Sequence, residues 1–138
     1  MSVVFEDYSD DVIKAIEKIG INWLEEASGE LEAQVKRNTK VDTGKTKGSW
    51  KHSVDKANME AKVGSNYENA IWEEFGTGIY ASGGNGRKTP WTYKDEKGFH
   101  KTRGKKPRRA LQNAINQKES EIIDILKRKL RGLKWNLF

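Results

Sequence analysis

The stretch EEFGTGIYASGGNGRKTP, Glu73–Pro90, holds five of the chain's thirteen glycines and closes on Arg87-Lys88-Thr89. Its reading decides the fold. A phosphate cradle there would imply a parallel α/β protein, whereas a shaped turn leaves the chain free to be α+β. A phosphate-binding loop needs G-x-x-x-x-G-K-[ST], with glycine directly before lysine so that backbone N–H groups can wrap the anion. Here Arg87 separates Gly86 from Lys88, and Ala81 or Ser82 stands where the first glycine belongs. The dinucleotide pattern fails as well, because Ala81 takes the third glycine's place after Gly76 and Gly78. The residues before the loop have helical rather than strand spacing, and Pro90 blocks a helix from opening at Thr89. Neither nucleotide motif is met.

Upstream, Val12, Ile13, Ile16, Ile19, Trp23, Leu24, Ala27, Leu31 and Val35 recur at intervals of three and four. That spacing predicts one amphipathic helix from about Asp11 to Arg37, capped by Ser9 or Asp10 and about 40 Å long. VDTGKTKGSW, Val41–Trp50, ends the helical period and opens an extended section. SWKHSV and MEAKVGS then alternate around the turn composition DKAN, which predicts an antiparallel hairpin. NYENAIWEEF places Tyr67, Ala70, Ile71 and Phe75 on one side of a short helix. Beyond the loop, WTYKDEKGFHKT, Trp91–Thr102, reads as a second, projecting hairpin turning at DEKG. RGKKPRR leads into a closing helix with Pro107 in its first turn, an apolar stripe from Leu111 to Leu130, and Gly132 as its stop. The order predicts one α+β domain over residues 1–138. Long N- and C-terminal helices pack on an antiparallel sheet, with a flexible loop at 79–90 and a tail at 132–138.

Leu, Ile, Val and Phe supply only 28 of 138 residues, so the five tryptophans must carry much of a thin core. With no cysteine and only two well-separated histidines, His52 and His100, disulfides are excluded and a metal site is not expected. No apolar run approaches the roughly 20 residues of a membrane helix, and the acidic N-terminus is unlike a signal peptide, so the reading is a soluble intracellular protein. The net charge of +6 conceals a split. Residues 1–75 carry 10 Lys/Arg against 15 Asp/Glu, and residues 76–138 carry 16 against 5. Such polarity suits a basic face for nucleic acid, or copies that pack acidic side to basic side.

Catalytic constellations fare poorly. The adjacent carboxylates Glu25/Glu26 and Glu73/Glu74 diverge on a helix, and His52, Ser53 and Asp55 lie too close in one strand to converge as a triad. The chain is therefore expected not to be an enzyme and to need no cofactor. The segment Arg87–Arg109 holds ten basic residues interleaved with Trp91, Tyr93 and Phe99. That mix supports a second reading, a small basic nucleic-acid-binding protein whose rings stack on single strands.

VDTGKTKGSW, AKVGSNYENAIWEEFGTG and TRGKKPRRALQNAI, in that order, resemble the HK97 gp10-like family of tailed-phage and prophage minor structural proteins. Val41, Asp42, Thr43, Gly44 and Ser49 match its first element. Val63, Gly64, Asn66, Glu74, Phe75, Gly76, Thr77 and Gly78 match the second, and Thr102, Gly104 and Pro107 the third. Arg109-Ala110 stands where the family more often has Pro-Phe. The resemblance implies a protein of head–tail joining or tail completion, acting as a ring, a hexamer by analogy with tail symmetry. Its partners would be further copies, the tail-tube protein and the head connector, with DNA a secondary contact and no membrane. It would be found in the host cytoplasm during assembly and then in the virion. The glycine-built signatures are expected to fix turns. Partner contact would fall to Arg87, Lys88, Trp91, Tyr93, Phe99, Arg108, Arg109, Trp135 and Phe138.

Overall fold

The computed structural model describes residues 7–41 and 44–136, with side chains as far as 133. The element order is α1 (Ser9–Asn38), α2 (Lys45–Ser49), β1 (Lys51–Asp55), β2 (Glu60–Gly64), α3 (Glu68–Phe75), a 3₁₀ turn (Gly78–Tyr80), β3 (Trp91–Asp95), β4 (Gly98–Thr102) and α4 (Ala110–Asn136). The architecture is α+β, as the alternation of patterns predicts. Its strands form two separate two-stranded antiparallel sheets, β1–β2 and β3–β4.

α1 and α4 are long because their apolar stripes recur over roughly seven turns in α1 and about five to six in α4, and they bury those stripes chiefly against each other. They run antiparallel, tied by Asn38 Nδ2 to Ala110 O (3.1 Å) at one end and Trp23 Nε1 to Ile122 O (2.8 Å) further along. α1 also carries the β1–β2 hairpin on its flank. The core lies where these meet: Val35, Trp50, Ala70, Ala110 and Ala114, with Leu31, Val63 and Leu111 against them. Alanines on α3 and α4 let backbones approach Trp50 closely. The indole N–H is satisfied by Thr39 Oγ1 at 2.9 Å, which in turn donates to Val35 O at 2.7 Å. A buried indole without that acceptor would lose roughly 1–3 kcal/mol.

Four local expectations change. α1 starts at Ser9, and its first turn is held by Asp7, which accepts from both the backbone N–H and the hydroxyl of Ser9. The VDTG element leads first into the short helix α2, missed because KTKGS has no apolar period; Gly44, at φ 83°, is its N-cap. Pro107 lies three residues before α4 rather than in its first turn, and Asn113 N to Arg109 O is an opening hydrogen bond of that helix. Gly132 does not stop α4, which continues to Asn136. One glycine costs a helix only about 1 kcal/mol, and more than five turns of packed helix precede it. The turn role expected of Asp42 and Thr43 lies outside the described residues.

Candidate assembly surface

The second and third signature elements meet in space. Thr77 N donates to Lys105 O (2.9 Å), Ile79 N to Arg103 O (3.1 Å), and Arg108 N to Glu73 O (2.7 Å). Thr77 Oγ1 accepts from Lys105 N at 2.9 Å. EFGTG and TRGKKP therefore form a backbone clasp that sets the start of α4. Gly78 and Gly104 face each other inside it at φ 60° and 135°. A Cβ on Gly78 would collide with Arg103 O, and one on Gly104 with Thr77 O. No other residue type offers both the backbone angle and the space. The first and second elements also meet: Ser65 Oγ donates to Ser49 Oγ (2.6 Å), and Asn69 Nδ2 to Thr46 Oγ1 (2.8 Å).

The clasp dictates how α3 turns. Glu74 is buried and accepts from Leu111 N (2.8 Å) and Gln112 N (3.2 Å), so a carboxylate from α3 caps the positive end of α4. Glu73 pairs with Lys105, and Arg108 Nε lies 3.1 Å from its Oε2, in ion-pair range but off the line of a hydrogen bond. Because both acids point inward, the apolar residues of α3 point outward. Ile71, Trp72 and Phe75 are each about half exposed, and Ile79 and Tyr80 of the 3₁₀ turn that follows are exposed as well. α3 is an inverted amphipathic helix. In its apolar stripe only Ala70 reaches the core.

The β3–β4 hairpin stands apart from the body, pairing Trp91 with Thr102 through to Asp95 with Gly98 across the two-residue turn Glu96-Lys97. Arg87 lies 5.7 Å from the Trp91 ring centre, Lys94 5.4 Å from that of Phe99, and Tyr93 stacks on His100 at 5.2 Å. Phe99 is 74% exposed. Asp95 accepts from His100 Nε2 (2.8 Å) and from Lys97 N (2.8 Å), and these two bonds, His100's first, hold its carboxyl below the ordinary 3.8. A depressed carboxyl contributes stability above its unfolded pKa and loses it as pH falls through the folded one. The Lys97 amide resonance, whose acceptor is Asp95, is therefore expected to move toward its random-coil position only below about pH 4. Hairpin NMR shifts unchanged down to pH 2 would refute this.

The glycine loop is fastened at its near end. Ser82 N donates to Phe75 O at 2.9 Å, Arg109 reaches Ser82 Oγ at 2.9 Å, and Gly86 packs on the Gly78 carbonyl. Beyond it, bonds are local: Arg87 Nε to Thr89 Oγ1 and Lys88 Nζ to Gly84 O. Among the described residues no acid and histidine cluster could hold a metal, and no helix is long and apolar enough to cross a membrane.

A profile of the HK97 gp10-like family, described as "Bacteriophage HK97-gp10, putative tail-component", matches residues 4–76. That is just over half of the 138 residues. The chain belongs to this family. No curated protein and no solved structure matches it. The family match stops at Gly76, inside EFGTG, so the clasp ties the matched half of this tail-component relative to its C-terminal half.

Within the family member, the residues singled out for partner contact divide. Arg87, Lys88, Trp91, Tyr93 and Phe99 gather on the hairpin and its approach. Arg108 and Arg109 turn toward Glu73 and Ser82 of the same chain. The Trp135 side chain and Phe138 lie outside the described residues. Part of the charge polarity is spent within one chain, through Lys129–Glu26 (2.9 Å), Lys118–Glu30 (3.8 Å) and the Glu73 cluster. Sequence reading passed over Trp72, Ile79 and Tyr80 as surface residues. The signal available was the Glu73-Glu74 pair, which had to face either water or a helix end.

Proposed function

We propose that this tail-component family member acts at the head–tail connection, in tail completion or head–tail joining. It assembles there as a ring of copies, six by analogy with tail symmetry, that caps the tail tube and meets the head connector. The observation that carries this reading is α3, which turns its carboxylates inward and presents Ile71, Trp72, Phe75 and Ile79 to solvent. Contiguous apolar surface on a small domain marks a contact with another protein. The contact is heterologous, as ring closure requires: the α3 strip of one copy meets a different surface of the next. Shape and charge complementarity, rather than catalysis, do the work, in the host cytoplasm during assembly and in the virion afterwards.

Trp72→Glu tests it. The residue is half exposed, so the isolated fold should keep its melting temperature within about 2 °C. Light scattering on the purified chain, alone and with the tail-tube protein, should show association for the parent and its loss in Trp72→Glu. A parent chain that stays monomeric with copies, tube and connector alike defeats the proposal.

A further inference from the structure

We infer that the β3–β4 hairpin binds the phosphate backbone of duplex DNA without regard to sequence. The inference goes beyond ring assembly and does not depend on it. Of the ten basic residues from Arg87 to Arg109, only Lys105 and Arg108 have a carboxylate within ion-pair distance among the described residues, and both share Glu73. The hairpin's own acids are Asp95, taken up by His100 and Lys97 N, and Glu96 at the tip. An excess of free cations on a projecting ribbon suits a polyanion.

The aromatic residues decide which polyanion. Strand alternation puts Thr92, Lys94, Phe99 and Lys101 on one face, and Trp91, Tyr93 and His100 on the other. Single-strand binders keep ring faces open for bases. Here one face of each ring already holds a partner: Lys94 on Phe99, Arg87 on Trp91, His100 on Tyr93. Lys106, near the base of the hairpin, lies 5.8 Å from the Tyr80 ring centre in the same manner. Trp91 and Phe99 so used hold cations in place, and Tyr93 is stacked on His100, rather than being left for bases. Fixed cations on a two-stranded ribbon fit a duplex, whose major groove, about 12 Å wide, admits such a ribbon between its phosphate walls.

The test is fluorescence anisotropy of the full chain with a labelled 30-base-pair duplex and a single strand of equal length, from 50 to 200 mM salt. With about four phosphate contacts, duplex affinity should fall roughly 100-fold across that range. Lys94→Gln/Lys101→Gln should reduce the slope of log K against log salt by about 1.8. Lys127→Gln/Arg131→Gln, the same charge loss toward the far end of α4, should leave the slope within about 0.5 of the parent. Circular dichroism confirms that both double variants fold, since neither pair contributes to the core. Three results overturn the inference: no duplex binding at 50 mM salt, equal losses in the two double variants, or tighter binding to the single strand that Phe99→Ala abolishes. The last would mean base stacking instead. None of the three bears on the ring, which the Trp72 experiment tests separately.

Discussion

Gly78→Ala is expected to lower the melting temperature by roughly 10–15 °C. The added methyl meets the Arg103 carbonyl at a distance no real contact allows, and Gly104 lies directly beyond it. Neither neighbour is a side-chain end that could swing aside; both are backbone. Accommodating the methyl means parting EFGTG from TRGKKP, which forfeits the Thr77–Lys105 and Ile79–Arg103 hydrogen bonds, about 0.5–1.5 kcal/mol each. Holding alanine at φ 60° adds about 1–2 kcal/mol. A total near 3 kcal/mol or more, at about 3–5 °C per kcal/mol for a domain of this size, gives the stated range. Gly132→Ala is the control. It lies inside α4 with nothing near its missing Cβ, so alanine there should raise stability by about 0.5–1 kcal/mol. If thermal denaturation shows Gly78→Ala within 2 °C of the parent, the clasp is not closed in solution.

Glu74→Ala should cost about 2–3 kcal/mol, or roughly 6–12 °C, with Glu74→Gln losing about half as much. Alanine leaves Leu111 N and Gln112 N, at the start of α4, without their charged acceptor in a buried setting. Glutamine keeps one acceptor oxygen but not the charge that favours the helix's positive end. The effect should also be local in a readable way. Amide hydrogen exchange of Leu111 and Gln112 should accelerate in Glu74→Ala more than exchange near Trp23, midway along the α1–α4 pair. Uniform acceleration along α4 would mean that the cap has no special role.

Both substitutions fall in EFGTG, and that explains why part of the fold was legible beforehand. The long helices announce themselves through apolar residues repeated over more than about five turns, and the hairpins through alternation about turn tetrads. Pairing of Asp95 with Gly98 across two residues follows from DEKG alone. Short elements lack enough repeats to average out noise, so α2 went unseen and Gly132 was given more weight than its single-residue cost justifies.

The amino-acid sequence by itself determined the α+β class, the failure of both nucleotide motifs, and the family, because each rests on residue order and spacing. It could not decide which side of α3 is the inside. Tyr67, Ala70, Ile71 and Phe75 look like a buried stripe, and only the position of α4's uncapped amides, thirty-seven residues beyond Glu74 in the chain, overrides that. A buried helix end demands an acceptor more strongly than three half-buried apolar side chains demand cover. So the carboxylates turned in, and the apolar strip turned out to solvent. Tertiary structure likewise decided that Trp91 and Phe99 hold cations and that Tyr93 stacks on His100, since which groups meet depends on strand register rather than on composition.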